Sequence, residues 1–74
     1  MFDRITRNSE ILNGQPCIRN MRISVKRVLE LLAIYDDRSE LFREYPELEE
    51  EDLKQALEYA AASLEDKIID IKSA

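Results

Sequence analysis

From Ser24 onward the apolar positions fall into a helical rhythm that the preceding residues lack. Val25, Val28, Leu29, Leu32 and Tyr35 sit at i, i+3, i+4, i+7 and i+10, which places them on one face of a helix. Leu31 and Ile34 widen that stripe, so the helix is expected to be buried on more than one side. Ser24 suits its N-cap, because a serine hydroxyl accepts from an otherwise unpaired backbone N–H; the helix should end near Asp36. Asp37 with Glu40 three residues on resembles a capping box and opens a short second helix through Leu41, Phe42 and Tyr45. Pro46 stops it, since a proline disfavours the α region for the residue before it. Leu48 and Leu53 have the spacing of a hydrophobic staple around a third helix start. Leu53, Ala56, Leu57, Ala60 and Leu64 form the stripe of that helix, bordered by Tyr59 and Ala61, over roughly residues 50–66.

The two ends are less regular. Over residues 1–23 short alternating runs (Ile5-Thr6, Cys17-Ile18, Met21-Arg22-Ile23) are punctuated by Asn13-Gly14 and Asn20, which predicts one or two short strands with turns. Asn13-Gly14 is a strong hairpin signal because both residue types tolerate positive φ. In the tail, residues 67–74, Ile68 and Ile71 would extend the helical stripe, while Ile69 and Ile71 around Asp70 suit a strand equally well. The expected fold is mainly α: a short N-terminal β element and a three-helix body over residues 24–66. The short helix, the turn around Pro46 and the longer helix resemble a helix-turn-helix unit.

Length and composition narrow the options. A chain of 74 residues is one domain, and domains of this size are marginal alone and often rely on a staple, a metal or a partner. A single cysteine closes no intrachain disulfide, and the absence of histidine removes histidine-based zinc sites and histidine general bases. A second protein chain is the remaining route. The apolar runs are far shorter than a membrane span, and the N-terminus has no signal-like apolar core, so a soluble cytoplasmic protein is expected. The net charge of −5 is unevenly spread: residues 1–27 carry six basic and two acidic residues, net +4, and residues 28–74 five basic and fourteen acidic, net −9. Such asymmetry points to a split binding task or to two solvated surfaces.

Catalysis is not expected. The chain has no P-loop, dinucleotide fingerprint or nucleophile elbow, and the carboxylates at 47–52 lack the spacing and turn glycine of a calcium loop. No metal or other cofactor is expected. Cys17 reads as a small buried residue, and Tyr35, Tyr45 and Tyr59 as core.

Two stretches are distinctive: ILNGQPCIRNMRIS at 11–24 and LFREYPELEEEDLKQALEYAA at 41–61. Gly14, Pro16, Ile18, Arg22 and Ile23 in the first, with Tyr45, Pro46, Leu48, Asp52, Leu53, Ala56 and Leu57 in the second, resemble the bacterial and archaeal family catalogued as domain of unknown function 433. Asn20 and Met21 replace the usual Gly-Thr, and Asn13 replaces a glycine; asparagine still takes the left-handed turn. The resemblance implies a homeodomain-like helix-turn-helix protein of antitoxin type. It further implies a homodimer, a PIN-like ribonuclease toxin as partner, and operator DNA as a second target.

Candidate binding residues follow from charge and helix position rather than from the resemblance. Glu49, Glu50, Glu51 and Asp52 complement the dipole of the third helix and would repel phosphates, which argues against its insertion into a DNA groove. Lys26 and Arg27 instead oppose the dipole of the first helix. With Arg19 and Arg22 upstream, and Arg4 and Arg7 assisting, they form a candidate phosphate grip at a helix N-terminus. Pairing of Lys26 and Arg27 with Glu30 one turn later is the competing expectation. The acidic half is the candidate for a basic nuclease groove, with Ile68, Ile69 and Ile71 as apolar anchors. The alternative to the antitoxin role is a protein-interaction or dimerisation module without nucleic-acid binding.

Overall fold

The computed structural model describes residues 2–64. Two left-handed turns organise the N-terminal part. Leu12, Asn13 and Gly14 take φ of 48°, 58° and 78° in succession, a short turn closed by the Gly14 N–H on the Ile11 carbonyl at 3.0 Å. It sits within the connection between β1 (Ile5–Thr6) and β2 (Cys17–Ile18), which pair antiparallel with Ile5 opposite Ile18 and Thr6 opposite Cys17. The Asn13-Gly14 signal therefore marks a turn within a longer loop and not a two-residue hairpin. Beyond β2, Arg19 and Asn20 both have positive φ (43° and 59°), and the Met21 N–H closes the turn on the Ile18 carbonyl at 2.7 Å. Asparagine tolerates this conformation because its short polar side chain finds local partners. The returning chain bonds to β2 on its other edge: the Ile18 N–H reaches the Ile23 carbonyl at 2.9 Å, and Cys17 bridges Ser24.

Three helices follow. In α1 (Val25–Ile34) the Ser24 hydroxyl accepts from the Arg27 backbone N–H at 2.9 Å, the cap the sequence predicts. In α2 (Arg38–Glu44) Asp37 accepts from the Ser39 N–H at 2.9 Å and the Ser39 hydroxyl at 2.7 Å. Hydrogen bonds from Ser39 hold the Asp37 carboxyl below its ordinary range. In α3 (Glu50–Ser63) the cap residue is Glu49, whose backbone N–H donates to the Asp52 carboxylate at 2.8 Å. Leu48 and Leu53 are both buried, as a hydrophobic staple requires.

The core is Ile18, Val25, Val28, Leu31, Leu41, Leu48, Leu53 and Ala56. It joins one residue of the β element to all three helices and to the turn between α2 and α3. The fold is thus a mainly helical three-helix bundle with a two-stranded N-terminal sheet. The stripes are rotated from the sequence expectation. Leu31 is buried in the α1 stripe and Ile34 is exposed; on α3, Leu57 is exposed while Asp52 and Gln55 are buried, and Leu64 just past its end is exposed. The reason is the β element, which packs beside α3 and draws the face bearing Asp52 and Gln55 inward. The third helix ends at Ser63 rather than 66, with Leu64 extended at φ −85° and ψ 136°. The expected tail isoleucines lie outside the described residues. Among the described residues no helix is long and apolar enough to cross a membrane.

Candidate functional site

Asp52 is the third residue of α3 and has no solvent-accessible side-chain surface. Its carboxylate is saturated. Oδ1 accepts from Arg4 Nη1 at 3.0 Å and from Arg19 Nε at 3.0 Å. Oδ2 accepts from Arg19 Nη2 at 2.8 Å and from the Glu49 backbone N–H at 2.8 Å. Four bonds fill the lone-pair sites of one carboxylate, and the Arg19 contact is the bidentate fork that only a guanidinium offers. Arg19 Nη2 also donates to the Glu47 carbonyl at 2.7 Å, and Arg4 Nη1 to Glu49 Oε1 at 2.6 Å. Burial pushes the Asp52 carboxyl up, but Arg19, the Glu49 N–H and Arg4 together outweigh it and hold the group below its ordinary value. Glu49, and then Asp52, raise Arg4 further above its usual range, and Asp52 does the same for Arg19. All three groups are charged at neutral pH.

Gln55 extends the network by one turn of α3. Its carbonyl accepts from the Arg4 backbone N–H at 3.0 Å, and its amide donates to Asp3 Oδ1 at 2.6 Å. Thr6 closes the other side, its hydroxyl accepting from the Asn20 N–H at 2.8 Å. Together these bonds clamp β1 and the Arg19-Asn20 turn onto the start of α3. Every buried polar side-chain atom among the described residues is satisfied.

The six predicted phosphate-binding cations therefore separate. Arg4 and Arg19 are counter-ions of Asp52. Arg27 pairs with Glu30 at 3.3 Å and donates to the Tyr45 hydroxyl at 3.4 Å; Tyr45 first and then Glu30 hold it charged. That is the competing expectation for Arg27, and the reason is the i, i+3 spacing on an exposed helix face. Arg7 is exposed and uses Nε on the Gly14 carbonyl at 3.0 Å. Arg22 and Lys26 are exposed and make no ion pair among the described residues. An uncompensated cluster of six thus reduces to Arg7, Arg22 and Lys26. Ile68, Ile69 and Ile71 lie outside the described residues.

A second feature is a hollow of about 410 Å³ on the outer side of α3, lined by Arg38, Glu50, Glu51, Lys54, Leu57 and Glu58. Leu57, the apolar residue of that lining, is 46% exposed. Arg38 is paired with Glu50, so the remaining charge is set by Glu51 and Glu58 against Lys54. An exposed apolar side chain among charged neighbours is compatible with a protein-binding patch. Cys17 is buried, with Sγ donating to the Gln15 carbonyl at 3.2 Å, and burial raises its pKa. Among the described residues no group of three or more acidic or cysteine side chains could hold a metal ion.

The role of Asp52 was the feature least evident in the sequence, where it reads as one of four dipole-complementing acids. Its signal is spacing: Asp52, Ala56 and Tyr59 fall at i, i+4 and i+7, so one carboxylate lies on the inward face.

A sheet-braced three-helix protein clamped by an internal ion triad is the class these observations define. The chain matches the family described as protein of unknown function (DUF433) over residues 5–60, and it belongs to that family. The matched span contains Arg19, Asp52 and Gln55 of the clamp and the Leu57 hollow, while Arg4 lies one residue before it. No curated protein and no solved structure matches the chain.

Proposed function

We propose that this chain is an antitoxin-like binding protein that acts by contact and not by catalysis. It would neutralise a PIN-like ribonuclease by seating its acidic helical half in the enzyme's basic RNA groove. The observation that carries this reading is the Leu57 hollow, an exposed apolar side chain in a lining where carboxylates outnumber cations. Leucine would supply the buried anchor, and the surrounding charges would steer encounter and fix orientation. The net charge of −9 over residues 28–74 favours a basic partner. The test is co-expression with a PIN-like ribonuclease, sought first among the products of the adjacent genes. Co-purification with loss of ribonuclease activity supports the proposal, and independent elution of the two proteins defeats it.

Operator DNA binding by a homodimer is the second task in this proposal, and Arg7, Arg22 and Lys26 are the residues left to perform it. The pairing of Arg4 and Arg19 with Asp52 favours the alternative, an interaction module that does not bind nucleic acid. A gel shift with the gene's own upstream DNA separates them. If DNA is bound, alanine at Arg22 and at Lys26 should each flatten the log–log salt dependence by about 0.9 for every phosphate no longer neutralised. Retention of the full slope in both variants would remove these residues from the account.

A further inference from the structure

Asn13-Gly14 is the one Asn-Gly pair of the chain and lies in the connection between β1 and β2, with Asn13 exposed. The pair has an intrinsic chemistry that the binding account leaves unused. Glycine has no Cβ to shield its backbone nitrogen. That nitrogen can attack the side-chain carbonyl carbon of the asparagine before it and close a five-membered imide. Asn8 and Asn20 precede Ser9 and Met21, whose side chains hinder the same attack.

The fold holds the pair in the wrong geometry for this step. Asn13 has φ 58° and ψ 32°. In this left-handed conformation the Cβ lies close to the residue's own carbonyl oxygen. The Gly14 nitrogen, on the opposite side of that carbonyl carbon, therefore faces away from the Asn13 side chain. Its proton is also engaged, by the Ile11 carbonyl at 3.0 Å. The Gln15 N–H on the Leu12 carbonyl at 3.2 Å and Arg7 Nε on the Gly14 carbonyl at 3.0 Å fix the turn further. Against these bonds stands Leu12, a bulky residue at φ 48°, where a side chain with a Cβ is strained. Opening of the loop relieves that strain and frees ψ of Asn13 to rotate.

We propose that Asn13 is a self-modification site of this protein, closed by the left-handed turn and open to reaction only when the loop opens. In the open loop the Gly14 nitrogen gives its proton to hydroxide and bonds to Asn13 Cγ; the Cγ–Nδ2 bond breaks, and ammonia leaves with a proton from water. A water molecule then cleaves either C–N bond of the imide. The product is aspartate or, where the chain is rerouted through the side chain, isoaspartate. The net change is water consumed and ammonia released, so no oxidant or further reactant is needed. Either product adds a carboxylate, which takes the net charge of residues 1–27 from +4 to +3. The new charge lies one residue from the carbonyl that holds Arg7. Isoaspartate also lengthens the backbone by a methylene, so the turn cannot close as before. The inference goes beyond the proposed function and does not depend on it.

The test is peptide mapping by mass spectrometry of the full chain, incubated in mildly alkaline buffer with and without unfolding guanidinium chloride. Conversion is read as replacement of NH2 by OH at Asn13, with Asn8 and Asn20 as internal references. In denaturant Asn13 should convert well ahead of both. In the folded chain its conversion should be roughly tenfold slower or more, as breaking the hydrogen bonds of the turn requires. Arg7→Ala leaves the reacting pair intact and removes one bond that closes the turn, so its folded-state rate should rise toward the denatured rate. Equal rates in the folded and denatured parent overturn the gating. An Asn13 no faster than Asn8 or Asn20 in denaturant overturns the site. Both results come from the parent chain, so they decide the proposal even if Arg7→Ala fails to fold.

Discussion

Replacing Asp52 by asparagine is the most informative single perturbation of this fold. The substitution keeps size and one acceptor oxygen but removes the charge that holds Arg4 and Arg19. The Asp52 carboxylate is wholly buried and makes four hydrogen bonds, three of them from guanidinium groups. Removing one partner of a buried ion pair costs about 3–5 kcal/mol. The two arginine side chains keep 27% and 36% of their surface exposed and can recover water, so the low end applies to Asp52→Asn, about 3 kcal/mol. For a domain of this length each kcal/mol shifts Tm by about 4–8 °C, which places the loss near 12–24 °C. The assay is thermal unfolding by circular dichroism at pH 7 and at a series of lower pH values. The Asp52 carboxyl is held below its ordinary value of 3.8 in the folded state, so its stabilisation is fully present above that value. It is lost as pH falls through the folded pKa, and the gap between the two proteins should close over that same window. A variant within about 0.5 kcal/mol of the parent at pH 7, the range of an ordinary surface change, would refute the clamp.

Three further outcomes follow from the same geometry. Alanine at Arg4 and at Arg19 should each lower Tm, with a double variant that departs from additivity because both share Asp52; strict additivity in urea titrations would dissolve the triad. Ser24→Ala should destabilise by about 1 kcal/mol through loss of the cap on the Arg27 N–H, and an unchanged urea midpoint would show that water replaces it. Cys17, buried and with its thiol pKa raised by burial, should react with an aromatic disulfide reagent only as fast as the structure opens, so labelling should accelerate with urea in step with unfolding; rapid labelling of the native protein would contradict its placement.

Much of the fold was legible because local rules and tertiary contacts agree. Ser24 and Asp37 cap their helices, Leu48 and Leu53 staple α3, and Pro46 separates α2 from α3 as their chemistry dictates. The rotation of the α3 stripe was less legible. Leu57 and Asp52 each read conventionally in isolation, one as core and one as a dipole acid. What reverses them is a long-range event, the arrival of Arg4 from just before β1 and of Arg19 from a turn with positive φ. A periodicity assigns faces to a helix, but it cannot say which of two adjacent faces another segment will cover. The candidate cations illustrate the same point. Arg27 finds Glu30 within its own helix, a pairing written in local spacing, whereas Arg19 and Asp52 are 33 residues apart in sequence.

The functional account rests on the patch around Leu57, and reversing that patch tests it most directly. Titration calorimetry of a PIN-like ribonuclease, the proposed partner, against a Leu57→Lys, Glu51→Lys, Glu58→Lys variant of the full chain is the measurement, with circular dichroism as a check on folding. All three residues are exposed, so the variant should melt close to the parent. The account predicts at least a hundredfold weaker binding, on the order of 3 kcal/mol as expected for loss of a central anchor and its steering charges. Undiminished affinity in a folded variant would contradict it.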